Sequence, residues 1–374
     1  MLKKIKCSLY RGGTSKAAFF VREDLPEKAE DRDILFQKVM GGNDPKQIDG
    51  LGGAQIVTSK VAVVGKSSMP GCDLDYTFVQ VYPNKCGVDY SANCGNISSA
   101  VAMFAIERGL AEPEDGVTCL RIFNTNTNKV IVETLQTPQR RVSCEGNYSI
   151  VGVPGTGAPI VLKFEKPAGA ITGELTPTGK PTDRIQLPSG KQVRCSVIDC
   201  TSLFVFIPMK EFGLNGTESI SELESRKDLL DDLEYIRGSI ACKLNMAPDA
   251  ASARTASAAL PKIALVGSPV DYITSGNERV EANQMNMRVC MMTLGKPHKS
   301  FAVTGAMCLA AATVVRDSVV AEIYHTEDTE YVVSIANPAG VMEAGVELDG
   351  GKVAYVSSYR TARLLMSGEA YYTI

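Results

Sequence analysis

A cysteine set among small residues, Ser91-Ala92-Asn93-Cys94-Gly95-Asn96, stands directly before the apolar run Ile97 to Ile106. That run is apolar on nearly every face and is closed by Glu107-Arg108-Gly109, so it predicts an interior helix with the thiol in the loop at its N-terminus. The first N–H groups of such a helix lack partners within it, and its positive dipole end stabilises an anion in the loop. The same field favours a thiolate over a thiol. Cys94 is therefore a candidate nucleophile, acid or base beside an anion-binding pocket. The competing reading makes Cys94, one of eleven cysteines, a small buried hydrophobe.

A second loop has the same style. Thr304-Gly305-Ala306 opens a stretch through Val315 that is apolar all round. If both helix N-termini faced one cleft, a multiply charged anion could be held from both sides by backbone N–H groups. Otherwise these are two core helices in separate domains, each filling its own layer. Lys60 follows the glycine-rich loop Asp49 to Gln55 and begins the apolar run Val61 to Val64. A lysine there either keeps its ammonium at the solvent edge or points it into a cleft. Arg11-Gly12-Gly13-Thr14-Ser15-Lys16 lacks the spacing of a Walker loop and reads as a hairpin tip. Gly295-Lys296-Pro297-His298-Lys299 is a candidate cationic segment or a surface loop.

The elements that must carry these residues follow from pattern. Lys4–Tyr10 and Ala17–Val21 predict a hairpin, and Asp31–Met40 a short helix. Leu74–Tyr82, Cys86–Tyr90, Cys119–Asn124, Lys129–Thr134 and Arg141–Val151 predict strands. Ile220–Leu244 predicts one long amphipathic helix, followed by strands at Lys262–Gly267, Gln284–Met292, Phe301–Val303, Val353–Ser357 and Arg363–Tyr372. Proline, glycine and threonine are dense from Pro154 to Lys191, the place for a boundary. The expected domains are 1–185, completed by a returning strand at about 353–374, and 186–352. A length of 374 residues suits two domains.

Composition narrows the partners. A net charge of −3, with no concentrated basic stretch, gives no reason to expect nucleic acid or an anionic membrane. No apolar window approaches a membrane span, and Met1 to Ile5 runs straight into a strand, so a cytoplasmic protein is expected. Scattered cysteines fit a reducing compartment, and two histidines without a Cys-x-x-Cys pair make a metal site unexpected. Oligomeric state is almost unreadable, and a homo-oligomer stays open.

Taken together, Arg11-Gly12-Gly13-Thr14-Ser15-Lys16, Gln47-Ile48-Asp49-Gly50-Leu51-Gly52-Gly53, Thr58-Ser59-Lys60, Asp75-Tyr76, Asn93-Cys94-Gly95-Asn96, Thr304-Gly305-Ala306 and Arg360-Thr361-Ala362-Arg363 resemble, nearly full-length, one family. It is the PrpF-like family of 2-methylaconitate isomerases, 3-methylitaconate isomerases and 4-oxalomesaconate tautomerases, related in fold to diaminopimelate epimerase. The resemblance implies an α+β fold of two pseudo-symmetric domains, each a curved sheet wrapped around a central helix, with the active site in the cleft between them. It also implies that Lys60 and Cys94 are the acid/base pair, with Thr14 and Ser15 at the substrate cleft.

The implied reaction is a cofactor-free allylic proton shift in a small unsaturated polycarboxylate. It needs an acid/base group near each carbon and stabilisation of negative charge developing on oxygen. Lys60, neutral in the reactive complex, is the favoured base and Cys94 the group that returns a proton; the reverse assignment stays open. Carboxylates would be bound by N–H groups at Gly95, Asn96, Gly305 and Ala306, by hydroxyls of Thr14, Ser15 and Thr304, and by Lys296 and His298. Arg360 and Arg363 are expected to be ion-pair partners outside the site. In diaminopimelate epimerase the loop matching Thr304 carries a second cysteine, so threonine argues for isomerisation over epimerisation or racemisation of an amino acid. A non-catalytic polycarboxylate binder is the other alternative.

Overall fold

The structure, a computed structural model, describes residues 2–90, 93–257, 260–293, 295–326 and 328–373. Ser91 and Ala92, the first residues of the cysteine loop, lie outside the described residues. The chain divides into two compact units, Met1–Glu165 with Tyr359–Ile374, and Lys166–Ser358.

The first unit begins with β1 (Leu2–Gly12) and β2 (Ser15–Val21), a hairpin turning at Gly13-Thr14. After α1 (Ala29–Met40), β3 (Lys60–Lys66) pairs parallel with β2, and β4 (Leu74–Val81) pairs antiparallel with β3. The short β5 (Val88–Asp89), α2 (Gly95–Ser98) and α3 (Val101–Glu107) follow. The unit continues with β6 (Gly116–Asn124), parallel to β4, then β7 (Lys129–Thr137) and β8 (Ile160–Glu165), each antiparallel to its predecessor.

Alternation along the strands divides two apolar layers. Cys7, Ala18, Phe20, Val61 and Val79 pack with Leu35, Phe36, Val39 and Met40 of α1. Residues of the opposite parity, Tyr10 and Phe19, pack their rings against Phe104 of α3. Parity therefore assigns Lys60, adjacent to Val61, to the face that carries α3.

The second unit repeats this order of pairings. After β9 (Asp183–Gln186), β10 (Gln192–Cys200) and β11 (Ser202–Pro208) form a hairpin turning at Thr201, whose φ of 59° matches the 50° of Gly13. Then α4 (Ile220–Ser225), α5 (Lys227–Lys243) and α6 (Ala253–Ala256) precede β12 (Lys262–Gly267), which is parallel to β11. A two-strand ribbon, β13 (Tyr272–Ile273) and β14 (Arg279–Val280), is inserted before β15 (Met287–Thr293), antiparallel to β12. The short β16 (Lys296–Pro297), α7 (Val303–Thr313), β17 (Glu330–Asn337) parallel to β15, β18 (Gly340–Asp349) and β19 (Lys352–Arg360) complete the series. Finally β20 (Ala362–Thr373) pairs antiparallel with β1.

Several expectations are corrected. Arg141–Val151 forms no strand; the segment makes a single bridge, Tyr148 to Gly157, because Gly146 and the polar residues around it leave no alternating apolar face. Ile220–Leu244 is two helices separated at Arg226, where ψ is 75°. Phe301–Val303 is no strand, since α7 already starts at Val303. Within Cys86–Tyr90 only Val88–Asp89 is extended in a ladder. Residues 166–182 lie with the second unit, where Gly169 and Thr201 amides bond the Asp199 and Pro167 carbonyls at 2.8 and 3.0 Å. Among the described residues no helix is long and apolar enough to cross a membrane.

Candidate active site

Lys60 is the first residue of β3 and only 6% exposed, so its ammonium is not at the solvent edge. Its Nζ donates to Gln80 Oε1 at 2.6 Å and lies 5.0 Å from the centre of the Phe78 ring. Gln80 is its cross-strand partner on β4. The Gln80 amide is held in one orientation because Nε2 donates to the carbonyls of Ile56, Ser59 and Val81. Burial lowers the Lys60 pKa, and the nearby Cys94 charge opposes that shift. An amine in this setting gives up its proton more readily than a lysine in water.

The Cys94 turn differs from the single helix expected. One turn, α2, is followed by a break at Ser99-Ala100 and then α3. The serine hydroxyls explain it. Ser98 Oγ donates to the Cys94 carbonyl at 3.1 Å and Ser99 Oγ to the Asn96 carbonyl at 2.7 Å, so side chains compete for the helical acceptors. Ser99 and Ala100 amides then reach back three residues, tightening the turn. A single turn has no large macrodipole, so the field at Cys94 comes from its neighbours. Individual N–H groups remain: the first helical bond runs from the Ser98 amide to the Cys94 carbonyl, leaving Gly95 and Asn96 at the open end.

Asn96 ties this turn to two other elements. Its Nδ2 donates to Thr14 Oγ1 at 3.0 Å, and its Oδ1 accepts from Arg360 Nε at 3.2 Å. The contact is so close that a Cβ on Gly12 would lie 2.4 Å from the Asn96 carbonyl oxygen, and one on Gly13 would lie 2.2 Å from Asn96 Oδ1. Both glycines are therefore required for packing, and Gly13 also for its φ of 50°. Ser15 beside them is buried while Thr14 is exposed.

Arg360 was not expected in the site. It is 7% exposed, burial lowers its pKa to about 10, and the charges of Tyr148 and Cys94 act on it in the opposite direction. Cys94 thus has two buried cations within electrostatic range, Lys60 and Arg360. The sequence signal was the position of Arg360 within a motif already carrying the family resemblance. Behind the turn lie two further groups. Glu133 of β7 is fully buried and its Oε2 accepts the Ala102 amide at 2.9 Å, capping α3 where Ala100 has no side chain to do so. Burial raises its pKa to about 8. The Tyr76 hydroxyl is buried and, among the described residues, has no hydrogen bond of good geometry, with Ser98 beside it; its pKa is driven up by burial and then by the Cys94 charge. Period-2 alternation could have found Glu133, which lies between the inward residues Ile131 and Leu135.

The remaining expected residues belong to the second unit. Thr304 is the second residue of α7, and its carbonyl accepts from Thr201 Oγ1 at 2.9 Å. Gly305 is buried against Phe301 and Phe204. The Ala306 amide donates to the Ala302 carbonyl at 2.9 Å because α7 begins three residues earlier, so this N–H is not free for an anion as expected. His298 is exposed, with Nδ1 receiving the Ser300 amide at 3.1 Å. Lys296 is exposed and lines a surface groove with Leu230, Glu234, Arg237 and Arg254. Lys262, read only as part of a strand, is the counterpart of Lys60: first residue of β12, pKa lowered by burial, with Cys308 opposing.

A buried amine and a cysteine thus lie within each other's field in the first unit, an arrangement that can pass a proton. Residues 2–373 match the family model described as PrpF protein, and the chain belongs to that family. It is an isomerase. The chain is 37% identical over 366 residues to the (4E)-oxalomesaconate Delta-isomerase of Novosphingobium sp. (strain KA1), covering 97% of this chain and 96% of the relative. A crystal structure of methylitaconate-delta-isomerase superposes with a TM-score of 0.94 at 35% identity, covering 99% of this chain and 96% of that one. A hydroxyproline epimerase from Agrobacterium vitis has a TM-score of 0.50 at 11% identity, covering 98% of this chain and 92% of that one, a likeness of fold alone. The epimerase-like α+β fold expected from the sequence is thus the fold observed.

Proposed function

We propose that this protein moves a carbon–carbon double bond in a small unsaturated polycarboxylate by allylic proton transfer, with Lys60 and Cys94 as the acid/base pair. The observation that carries the reading is the buried Lys60 ammonium, held by Gln80, with its pKa lowered and with Cys94 in its field. Neutral Lys60 removes a proton from the carbon next to a substrate carboxylate. The electron pair delocalises through the double bond onto the conjugated carboxyl or keto oxygen, giving a dienolate. The Cys94 thiol then protonates the far carbon, so one C–H bond breaks, one forms and the double bond moves. Reset requires proton transfer from Lys60 to the thiolate, which burial of the ammonium favours and the attraction between the two charges opposes. Gly95 and Asn96 amides, with Thr14 and Ser15, are the proposed oxyanion and carboxylate donors in the first unit. The other sequence candidates, Thr304, Gly305, Lys296 and His298, belong to the second unit.

Substrates of methylitaconate, methylaconitate and oxalomesaconate type fit this chemistry. Proton NMR in deuterated buffer with each of the three tests it. A shifted double bond with deuterium at an allylic carbon is expected for one of them. Lys60→Ala and Cys94→Ser should each lower the rate by about a hundredfold or more. Deuterium entering a saturated stereocentre with no double-bond movement would refute the isomerisation.

A further inference from the structure

Among the described residues three arginines are less than a tenth exposed; two of them are held by three or four hydrogen bonds, and the one edge these leave open, Nη2 of Arg288, belongs to a guanidinium lying over the Tyr272 ring. Arg237 makes two bonds to Glu234 and two more to the Ser257 and Leu260 carbonyls. Arg288 donates to the carbonyls of Gly216, Val289 and Ala336 and lies 3.9 Å from the centre of the Tyr272 ring. Arg360 differs. Its guanidinium makes two bonds, Nε to Asn96 Oδ1 at 3.2 Å and Nη1 to the Tyr359 carbonyl at 2.6 Å. Among the described residues its Nη2 has no acceptor, and no carboxylate comes within ion-pairing distance. Removing a cation from water without a counter-ion is strongly unfavourable, so a buried guanidinium with an open edge is poised for an anion.

The neighbourhood says which anion. Asn96 holds the guanidinium through Oδ1 and the hairpin tip through Nδ2, fixing the fork beside the Cys94 turn. The charge of Cys94 is felt by Arg360, so the open edge lies within range of the reacting thiol. A thiolate offers the planar fork a single acceptor atom, whereas a carboxylate matches both donors in geometry and charge.

We propose that Arg360 is the receptor for a substrate carboxylate, the group that sets the reacting carbon against Cys94. The proposal rests on the isomerase reading above and identifies the cation that recognises the acid. Asn96 acts through Arg360 as a positioning residue: it keeps the guanidinium plane fixed, and its own contact with substrate is through the backbone amide.

The test uses the full-length protein with mesaconate as a non-isomerised dicarboxylate probe, together with whichever of the three candidate substrates isomerises. Arg360→Gln should weaken mesaconate binding by calorimetry, and raise KM, by about 10- to 100-fold, the usual effect of losing a charge-assisted bond. Arg360→Lys, which keeps the charge and loses the fork, should recover part of the affinity. A purely structural arginine would instead lower the melting temperature and leave KM unchanged in the folded fraction. Should both variants fail to fold, wild-type protein labelled with 15N-arginine supplies the readout. One buried Nε–H resonance, assigned to Arg360 in the wild type by its through-space contact with Asn96, should shift on titration with mesaconate. A wild type that isomerises a candidate substrate while Arg360→Gln keeps its KM within about twofold, or an Nε–H that does not respond, overturns the proposal for Arg360 alone. A wild type that neither isomerises any of the three nor binds mesaconate overturns the isomerase reading, and this one with it.

Discussion

Glu133 allows a quantitative check on how the site is supported. Its carboxyl is fully buried, one oxygen caps the Ala102 amide, and Oε1 has no partner among the described residues. Burial dominates, and its pKa is raised from 4.5 to about 8. The sign follows from linkage. The unfolded chain releases this proton near pH 4.5 while the folded unit keeps it to about pH 8, so stability is full below the lower value and falls across that window. Between pH 5 and pH 9 the loss is about 4 kcal/mol, from RT times the difference in the two titration terms. Glu133→Gln keeps the shape and an acceptor for Ala102 but removes the titration. The assay is hydrogen exchange, read by mass spectrometry in peptides from α3 and β7, comparing wild type and variant at each pH so that intrinsic exchange cancels. The opening free energy of the variant should gain on wild type by about 4 kcal/mol from pH 5 to pH 9. Tyr76 does not blur the comparison, since burial keeps its hydroxyl neutral throughout. Equal pH profiles in the two proteins would refute the reasoning, because Glu133 would then be ionised and satisfied in the fold.

Three other outcomes are expected. If neutral Lys60 is the base, kcat/KM should rise with pH through a limb below the ordinary lysine value of 10.5, and Lys60→Met should remove the limb with the activity. Gly13→Ala should lower activity at least tenfold, about 1.4 kcal/mol, while leaving the second unit's exchange unchanged, because a Cβ there meets Asn96 Oδ1 at 2.2 Å and Arg360 Cδ at 3.1 Å. Gln47→Ala should destabilise the loop before Lys60 by about 2–3 kcal/mol, read as faster exchange at residues 50–59, since the amide bonds Met40, Ser59 and Ala54 while only 2% exposed.

What the sequence made legible was what depends on local pattern. The hairpin at Gly13, the strand starting at Lys60 and the apolar stretch after Thr304 all obey period and turn rules, and all three are present. The break in the helix after Cys94 was not legible, because serine hydroxyls switching their bonds to carbonyls leave the hydrophobic pattern unchanged. Arg360 was missed for a different reason. Whether an arginine is paired depends on which distant segments meet, and β20 must fold back on β1 to bring residue 360 to Asn96. Strand β18, Gly340–Asp349, was not legible because glycine and charge interrupt its alternation.

The two units show why the proposed proton chemistry is placed in only one half. In each, a lysine begins the strand that lies parallel to the second arm of the hairpin, and in each burial depresses its pKa. Their surroundings then diverge. Lys60 faces a glutamine, whose amide is fixed by three carbonyls, and an accessible thiol in a turn. The residue across from Lys262 is Thr293, by extension of the β12–β15 register. The thiol whose charge acts on Lys262, Cys308, is fully buried and donates to the Ile198 carbonyl, where burial holds it protonated. Lys262→Met should therefore leave the first unit's proton chemistry intact and, by removing a half-desolvated charge with no carboxylate beside it, hold or raise the thermal stability of the second unit. A loss of isomerisation as large as that in Lys60→Met, with the fold retained, would mean that both halves supply a base and that the asymmetry argued here is wrong.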